Sequence, residues 1–155
     1  MNLEFLNRAI ELSEQGMNAG EGGPFGAVVV HNNQIIGEGW NRVIITNDPT
    51  SHAEMIAIRA ATARLDTFDL SGCELYANAE PCPMCVGAIY WARLNRVFFA
   101  NGREDVAAIG FADSVICEEL SKPREERRIP AHQVDSPAAG TVFEQWMNKD
   151  DRTQY

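Results

Sequence analysis

Two cysteines three positions apart, Cys82 and Cys85 in A-E-P-C-P-M-C-V-G-A (79–88), pose the first chemical question of this chain. An i, i+3 pair at a helix beginning lies on one side of the helix, so both sulfurs can point at one ion. Pro83 suits the first helical turn, where its missing N–H loses no intrahelical bond. The partial positive charge of a helix N-terminus lowers thiol pKa, and thiolate is the form that binds zinc. The pair reads as half of a zinc site, and the remainder should be His or Cys. His31 falls in a turn and reads as solvated, while His132 falls in a weak late strand and reads as structural or exposed. His52 opens a helix and is followed by Glu54 in S-H-A-E. Two helical steps turn about 200°, so His52 and Glu54 do not share a face. They converge only on a point beyond the helix N-terminus. One imidazole and two thiolates leave the fourth tetrahedral position to water or hydroxide, the arrangement of a catalytic zinc site rather than a closed one. Glu54 is then the candidate base that takes a proton from that water and the acid that returns it.

The elements that must position these residues follow from periodicity. Leu3, Leu6, Ile10 and Met17 recur at helical intervals and predict an amphipathic helix over 2–19. A-V-V-V (27–30) and Q-I-I-G-E-G-W (34–40), separated by H-N-N, predict a hairpin. N-D-P-T-S (47–51) introduces a helix that runs to about Leu65. A strand at C-E-L-Y-A-N (73–78), a proline-led helix over about 83–93, a strand at R-V-F-F-A (96–100) and a short helix at 104–109 follow. Residues 113–121 are ambiguous, I-P-A-H-Q-V (129–134) reads as a late strand, and the last helix spans about 140–149. Strands alternating with helices after an initial hairpin give one α/β domain, 1–155, with a mixed sheet covered on both faces.

Composition bounds the partners. Of 155 residues, 45% are apolar and 23% charged, a globular balance. Thirteen basic against 22 acidic side chains give a net charge of -9, which disfavours a phosphate backbone and favours a small-molecule substrate. R-E-E-R-R (124–128) mixes both signs and reads as a solvated face. No apolar run reaches the ~20 residues of a membrane span. The N-terminus lacks the basic and apolar regions of a signal peptide, so a cytoplasmic location is expected. Cys73 and Cys117, in apolar contexts, read as buried bystanders.

His-Ala-Glu followed by Pro-Cys-x-x-Cys is the known signature of zinc nucleobase deaminases. On these residues the chain resembles the cytidine and deoxycytidylate deaminase superfamily across nearly its whole length. Within it the chain looks most like bacterial guanine deaminases, through G-G-P-F-G-A (22–27), N-R-V (41–43), D-P-T-S-H-A-E (48–54), E-P-C-P-M-C-V-G-A-I-Y-W-A-R (80–93), A-I-G-F-A-D (108–113) and Tyr155. The resemblance implies a three-layer α/β/α fold around a mixed, five-stranded sheet, and one zinc per subunit held by His52, Cys82 and Cys85. It implies hydrolysis of guanine at C2, with Glu54 protonating N3, to give xanthine and ammonia. By the same resemblance Asn41 hydrogen-bonds the purine and the Ala53 backbone contacts its reacting edge. Phe25 and Trp91 wall the ring, Asp113 engages the exocyclic amino group, and Tyr155 closes the pocket. It also implies a homodimer exchanging the C-terminal segment from about residue 135.

Plainer readings stand beside these. Phe25 suits a core anchor, Trp91 a packing residue, Asn41 a turn, Asp113 a helix cap, and Glu80 a capping or supporting carboxylate. A tRNA adenosine deaminase shares the metal motif but calls for a basic surface, and Phe25 stands where those enzymes tend to carry a smaller residue. Guanosine, cytosine and triazines remain open as substrates. A closed site of four thiolates leaves Glu54 unexplained and needs Cys73 nine residues before Cys82; a redox Cys-x-x-Cys predicts a zinc-free protein.

Overall fold

Asn2 opens the first helix, α1 (Leu3–Asn18), its side chain accepting from the Glu4 N–H at 3.0 Å. The helix lays Phe5, Ala9 and Leu12 on the sheet. The computed structural model describes residues 1–154. It divides into two compact units, Met1–Ser114 and a second beginning at Val115.

In the first unit, β1 (Gly26–His31) and β2 (Gln34–Trp40) form the expected hairpin. Its two-residue turn, Asn32-Asn33, has φ of 48° and 60°, which asparagine tolerates and which matches the twist of the strands. With β3 (Glu74–Ala79) and β4 (Arg96–Asn101) the sheet order is β2-β1-β3-β4. β1 runs antiparallel to both neighbours and β3 parallel to β4. One face packs on α1 through Phe5, Leu12, Val28, Val30 and Tyr76. The other carries α3 (Ala53–Leu65) and α4 (Pro83–Trp91), burying Val29, Ala57, Leu75 and Ile89. This is the three-layer arrangement of the expected fold.

α3 lies directly on β2 because two glycines put nothing between them. A Cβ on Gly37 would stand 2.2 Å from the Ala57 carbonyl oxygen, and one on Gly39 would stand 2.3 Å from that of Ala53. The second contact fixes the beginning of α3, where His52 and Glu54 lie. The Arg8 guanidinium donates to both Glu38 carboxylate oxygens, at 2.8 and 3.0 Å, and ties α1 to the outer strand.

Three expectations need correction. The sheet has four strands rather than five among the described residues, because 129–134 forms no strand. Pro130 cannot donate to a ladder, and Ile129 and Val134 are more than four-fifths exposed, so this segment has no face on a core. His31 is the last residue of β1 rather than a solvated turn residue; it is half-buried with Nδ1 3.5 Å from the Cys73 sulfur. Cys73 is buried as expected, but Cys117 only partly. A short helix, α2 (Val43–Thr46), was not expected from V-I-I-T. α5 (Arg103–Ala108) begins at Gly102, whose N–H donates to Asp105 at 2.9 Å.

The second unit contains most of α6 (Ser114–Ser121) and all of α7 (Pro137–Met147). No described residue after Ser114 is buried. Val142, Phe143, Trp146 and Met147 recur on one side of α7, all exposed. Among the described residues no helix is long and apolar enough to cross a membrane.

Candidate metal centre

His52 and Cys82 are both N-cap residues, of α3 and α4 respectively, with extended backbone. Neither spends its side chain on capping, so both project beyond their helix ends. Cys85, two residues after the Pro83 that starts α4, is buried beneath them. The loop into α3 is held by Asp48, which accepts from the Thr50 N–H at 2.8 Å, the Thr50 hydroxyl at 2.7 Å and the Ser51 hydroxyl at 2.9 Å. The His52 N–H then donates to the Thr50 carbonyl at 2.8 Å.

The result is a three-atom donor set. His52 Nδ1 lies 3.5 Å from Cys82 Sγ and 3.6 Å from Cys85 Sγ, and the sulfurs are 3.6 Å apart. Tetrahedral zinc at its usual bond lengths places such atoms about 3.6 Å (N to S) and about 3.8 Å (S to S) from one another. The separations and the soft donor set therefore fit zinc. They form the metal-binding group among the described residues, and it includes neither Glu54 nor Asp113.

The electrostatics follow from this crowding. Cys82 is pulled down to about 4, first by the hydrogen bond from Cys85 and further by His52. Cys85 is pushed up, first because it supplies that hydrogen bond and then by burial. A divalent cation would hold both as thiolates. His52 is raised, chiefly through its contact with Cys82. Glu54 is 8% exposed, and burial pushes its carboxyl above the ordinary range. Cys82, His52 and Cys85 all act on its charge, so Glu54 borders the donor set without belonging to it.

The other expected residues are placed unevenly. Asn41 is buried, and its Oδ1 accepts from the Gly23 N–H at 3.2 Å and the Val43 N–H at 3.3 Å. With Oδ1 so engaged, Nδ2 is the end of the amide left to donate. Ala53 is the buried first residue of α3. Phe25 is half-buried against the core and meets the Phe111 ring edge-on at 5.0 Å. Asp113 is half-buried just before α6. Trp91 ends α4 and is 68% exposed, about 13 Å along the helix from Cys82. Tyr155 lies outside the described residues. Glu80 turns to Arg103, accepting at 3.1 Å, and so links the end of β3 to α5.

Sequence reasoning missed Phe111 and the Glu21 carboxylate, which accepts from Trp40 Nε1 at 2.7 Å and Arg42 Nε at 2.9 Å. The first could have been suspected from an aromatic following a turn glycine, Gly110 (φ 93°). The second has no local signal.

A three-layer fold with one imidazole, two thiolates and a buried glutamate at two helix beginnings defines a zinc-dependent hydrolytic deaminase. The cytidine and deoxycytidylate deaminase zinc-binding region matches residues 1–101, and the chain belongs to that family. It is 51% identical to guanine deaminase of Bacillus subtilis (strain 168), over the full length of both chains. The crystal structure of a B. subtilis guanine deaminase superposes with a TM-score of 0.96, covering 100% of this chain and 99% of that one. A guanine deaminase from Nitrosomonas europaea, 38% identical, superposes at 0.66 over 70% of this chain and 63% of that one. The tRNA-specific adenosine deaminase of Haemophilus influenzae is 41% identical over 69% of this chain and 62% of its own.

Proposed function

We propose that this enzyme hydrolyses guanine to xanthine and ammonia. The observation that carries the reading is the convergence of His52, Cys82 and Cys85 beside the buried Glu54 carboxylate, on a chain collinear with a guanine deaminase from end to end. The tRNA-specific relative matches only part of the chain.

Zinc, held by His52 Nδ1 and the two sulfurs, supplies when bound the Lewis acidity that brings a water within reach of a carboxylate base near neutrality. Glu54 takes a proton from that water as the oxygen bonds to C2 of the purine, and gives it to N3. Glu54 then carries the hydroxyl proton to the exocyclic nitrogen, with Asp113 assisting, so that the C2–N bond breaks with ammonia leaving. Burial suits Glu54 to this work, since a carboxyl shielded from bulk water passes the proton it takes up to the substrate.

Asn41 Nδ2 donates to a purine acceptor, its other end being occupied by backbone N–H groups. The Ala53 backbone meets the reacting edge, and Phe25, backed by Phe111, walls one side. Trp91 and Tyr155 complete the pocket in a homodimer whose C-terminal segments are exchanged, and the enzyme works in the cytoplasm. Exposed apolar residues along α7 support a partner copy.

Ammonia release from guanine, guanosine, adenine, cytosine, cytidine and a tRNA anticodon stem tests the substrate. Guanine is expected to be turned over first. Turnover of the stem alone would transfer the site to the tRNA enzymes while leaving the metal assignment intact.

A further inference from the structure

Resting on the reading of Asn41 as a purine donor, we infer that Glu21 is a positioning residue that sets how firmly the substrate is held. In the strip of residues 21–23, Gly22 lies against Asn41, and the Gly23 N–H donates to its side chain. A Cβ at Gly22 would stand 2.2 Å from Asn41 Oδ1 and 2.4 Å from its carbonyl oxygen. Glu21 fastens this strip at three points around Asn41. Its Oε2 accepts from Trp40 Nε1 at 2.7 Å and from Arg42 Nε at 2.9 Å, the residues on either side of Asn41. Its carbonyl accepts from the Ile45 N–H at 3.1 Å and so anchors the first turn of α2. Arg42, the N-cap of α2, makes no side-chain cap, and its guanidinium instead stands 5.8 Å from the Trp40 ring centroid.

The strip in turn delivers the Gly23 N–H to Asn41 Oδ1. An amide side chain has two nearly isosteric orientations, and only a fixed donor on the oxygen keeps the NH2 group aimed at a ligand. With the Glu21 carboxylate removed, the Trp40 indole N–H and the Arg42 guanidinium lose their shared acceptor, and residues 21–23 lose their grip on β2. Asn41 Oδ1 then keeps the Val43 N–H but loses its firm hold on the Gly23 N–H, so the NH2 group is aimed less tightly. The purine loses a hydrogen bond that it makes equally before and during the reaction, which is a loss of uniform binding. Glu21 takes no part in the proton transfers, so chemistry once bound should be spared.

The test compares Glu21→Ala, Glu21→Gln, Gly22→Ala and Asn41→Ala in zinc-loaded enzyme, following KM, kcat, zinc content and Tm. Glu21→Ala is expected to raise KM about fivefold, the factor that one net hydrogen bond represents, with kcat within about twofold and zinc unchanged. Glu21→Gln keeps an acceptor for Trp40 and should recover most of that loss. Gly22→Ala should raise KM by crowding Asn41 directly, and it keeps the question answerable should Glu21→Ala fold poorly. A raised KM in Asn41→Ala with an unchanged KM in Glu21→Ala and Gly22→Ala overturns the Glu21 role alone. An unchanged KM in Asn41→Ala overturns the reading of Asn41 beneath it. A fall in Tm without a shift in KM makes Glu21 merely structural and sinks the inference.

Discussion

At the scale of single residues the decisive group is Glu54. A carboxyl bordering the His52–Cys82–Cys85 donor set, with 8% of its surface exposed, costs stability unless a proton or a nearby cation offsets its charge. Such an arrangement makes sense where the group moves protons. Glu54→Gln keeps the shape and removes the base. It should retain zinc, since the donor atoms come from His52, Cys82 and Cys85, and lose at least about 10²- to 10⁴-fold in turnover. Its thermal midpoint should hold or rise, because a neutral amide is cheaper to bury than a carboxylate. Metal analysis alongside ammonia release checks this. A variant that loses zinc and activity together would make Glu54 a structural support instead.

At the scale of elements, what holds α1 to the outer strand is a partly exposed ion pair over an apolar face. Hydrogen bonds from Arg8 hold the Glu38 carboxyl below its ordinary value of 4.5. A depressed carboxylate contributes stability that is fully present above that ordinary value and is lost as pH falls through the lower folded one. Both side chains are more than a third exposed, so the contribution is about 0.5 kcal/mol. Glu38→Gln should therefore be less stable than the wild type at pH 7, and the gap in urea unfolding should close as pH falls below the ordinary value of 4.5 and on through the lower folded one. A gap that persists in acid would assign the loss to packing.

The same scale shows which elements could be read in advance. The starts of α3 and α4 were legible because turn and capping residues, a proline and a Cys-x-x-Cys all sit within a few positions of them. The Asn32-Asn33 turn was legible from residue type. α2 was not, since V-I-I-T is a β-branched run and its helical turn depends on the distant Glu21 carbonyl and on Asn47 in the left-handed region (φ 51°). The supposed fifth strand failed for the opposite reason: its composition suggested pairing, but Pro130 and the lack of a buried face prevent it. The metal ligands could be read because ligand chemistry demands particular residue types at particular spacings. The clamp around Asn41 could not, because Glu21 reaches residues 19 and 21 positions away that share no period with it.

At the scale of the whole molecule, the distribution of apolar surface carries the argument. Met1–Ser114 buries two cores, one on each face of the sheet, whereas beyond Ser114 no described residue is buried. A unit of that size without a core cannot offset the conformational entropy of its own ordering. Ile116, Leu120, Val142, Phe143, Trp146 and Met147 are nonetheless exposed on two helices that this chain does form. The proposed homodimer would supply a second copy to cover them. The purified enzyme should sediment at twice the 17.2 kDa chain mass. Replacing Phe143 and Trp146 together with aspartate places two charges on the α7 stripe and should shift it to the chain mass. The metal trio lies wholly in the first unit, so the variant should still bind zinc. If Trp91 and Tyr155 complete the pocket only in the pair, its guanine turnover should fall with the loss of the dimer. Sedimentation of the wild type at the chain mass, or full turnover by the monomeric variant, would remove the partner from the active site.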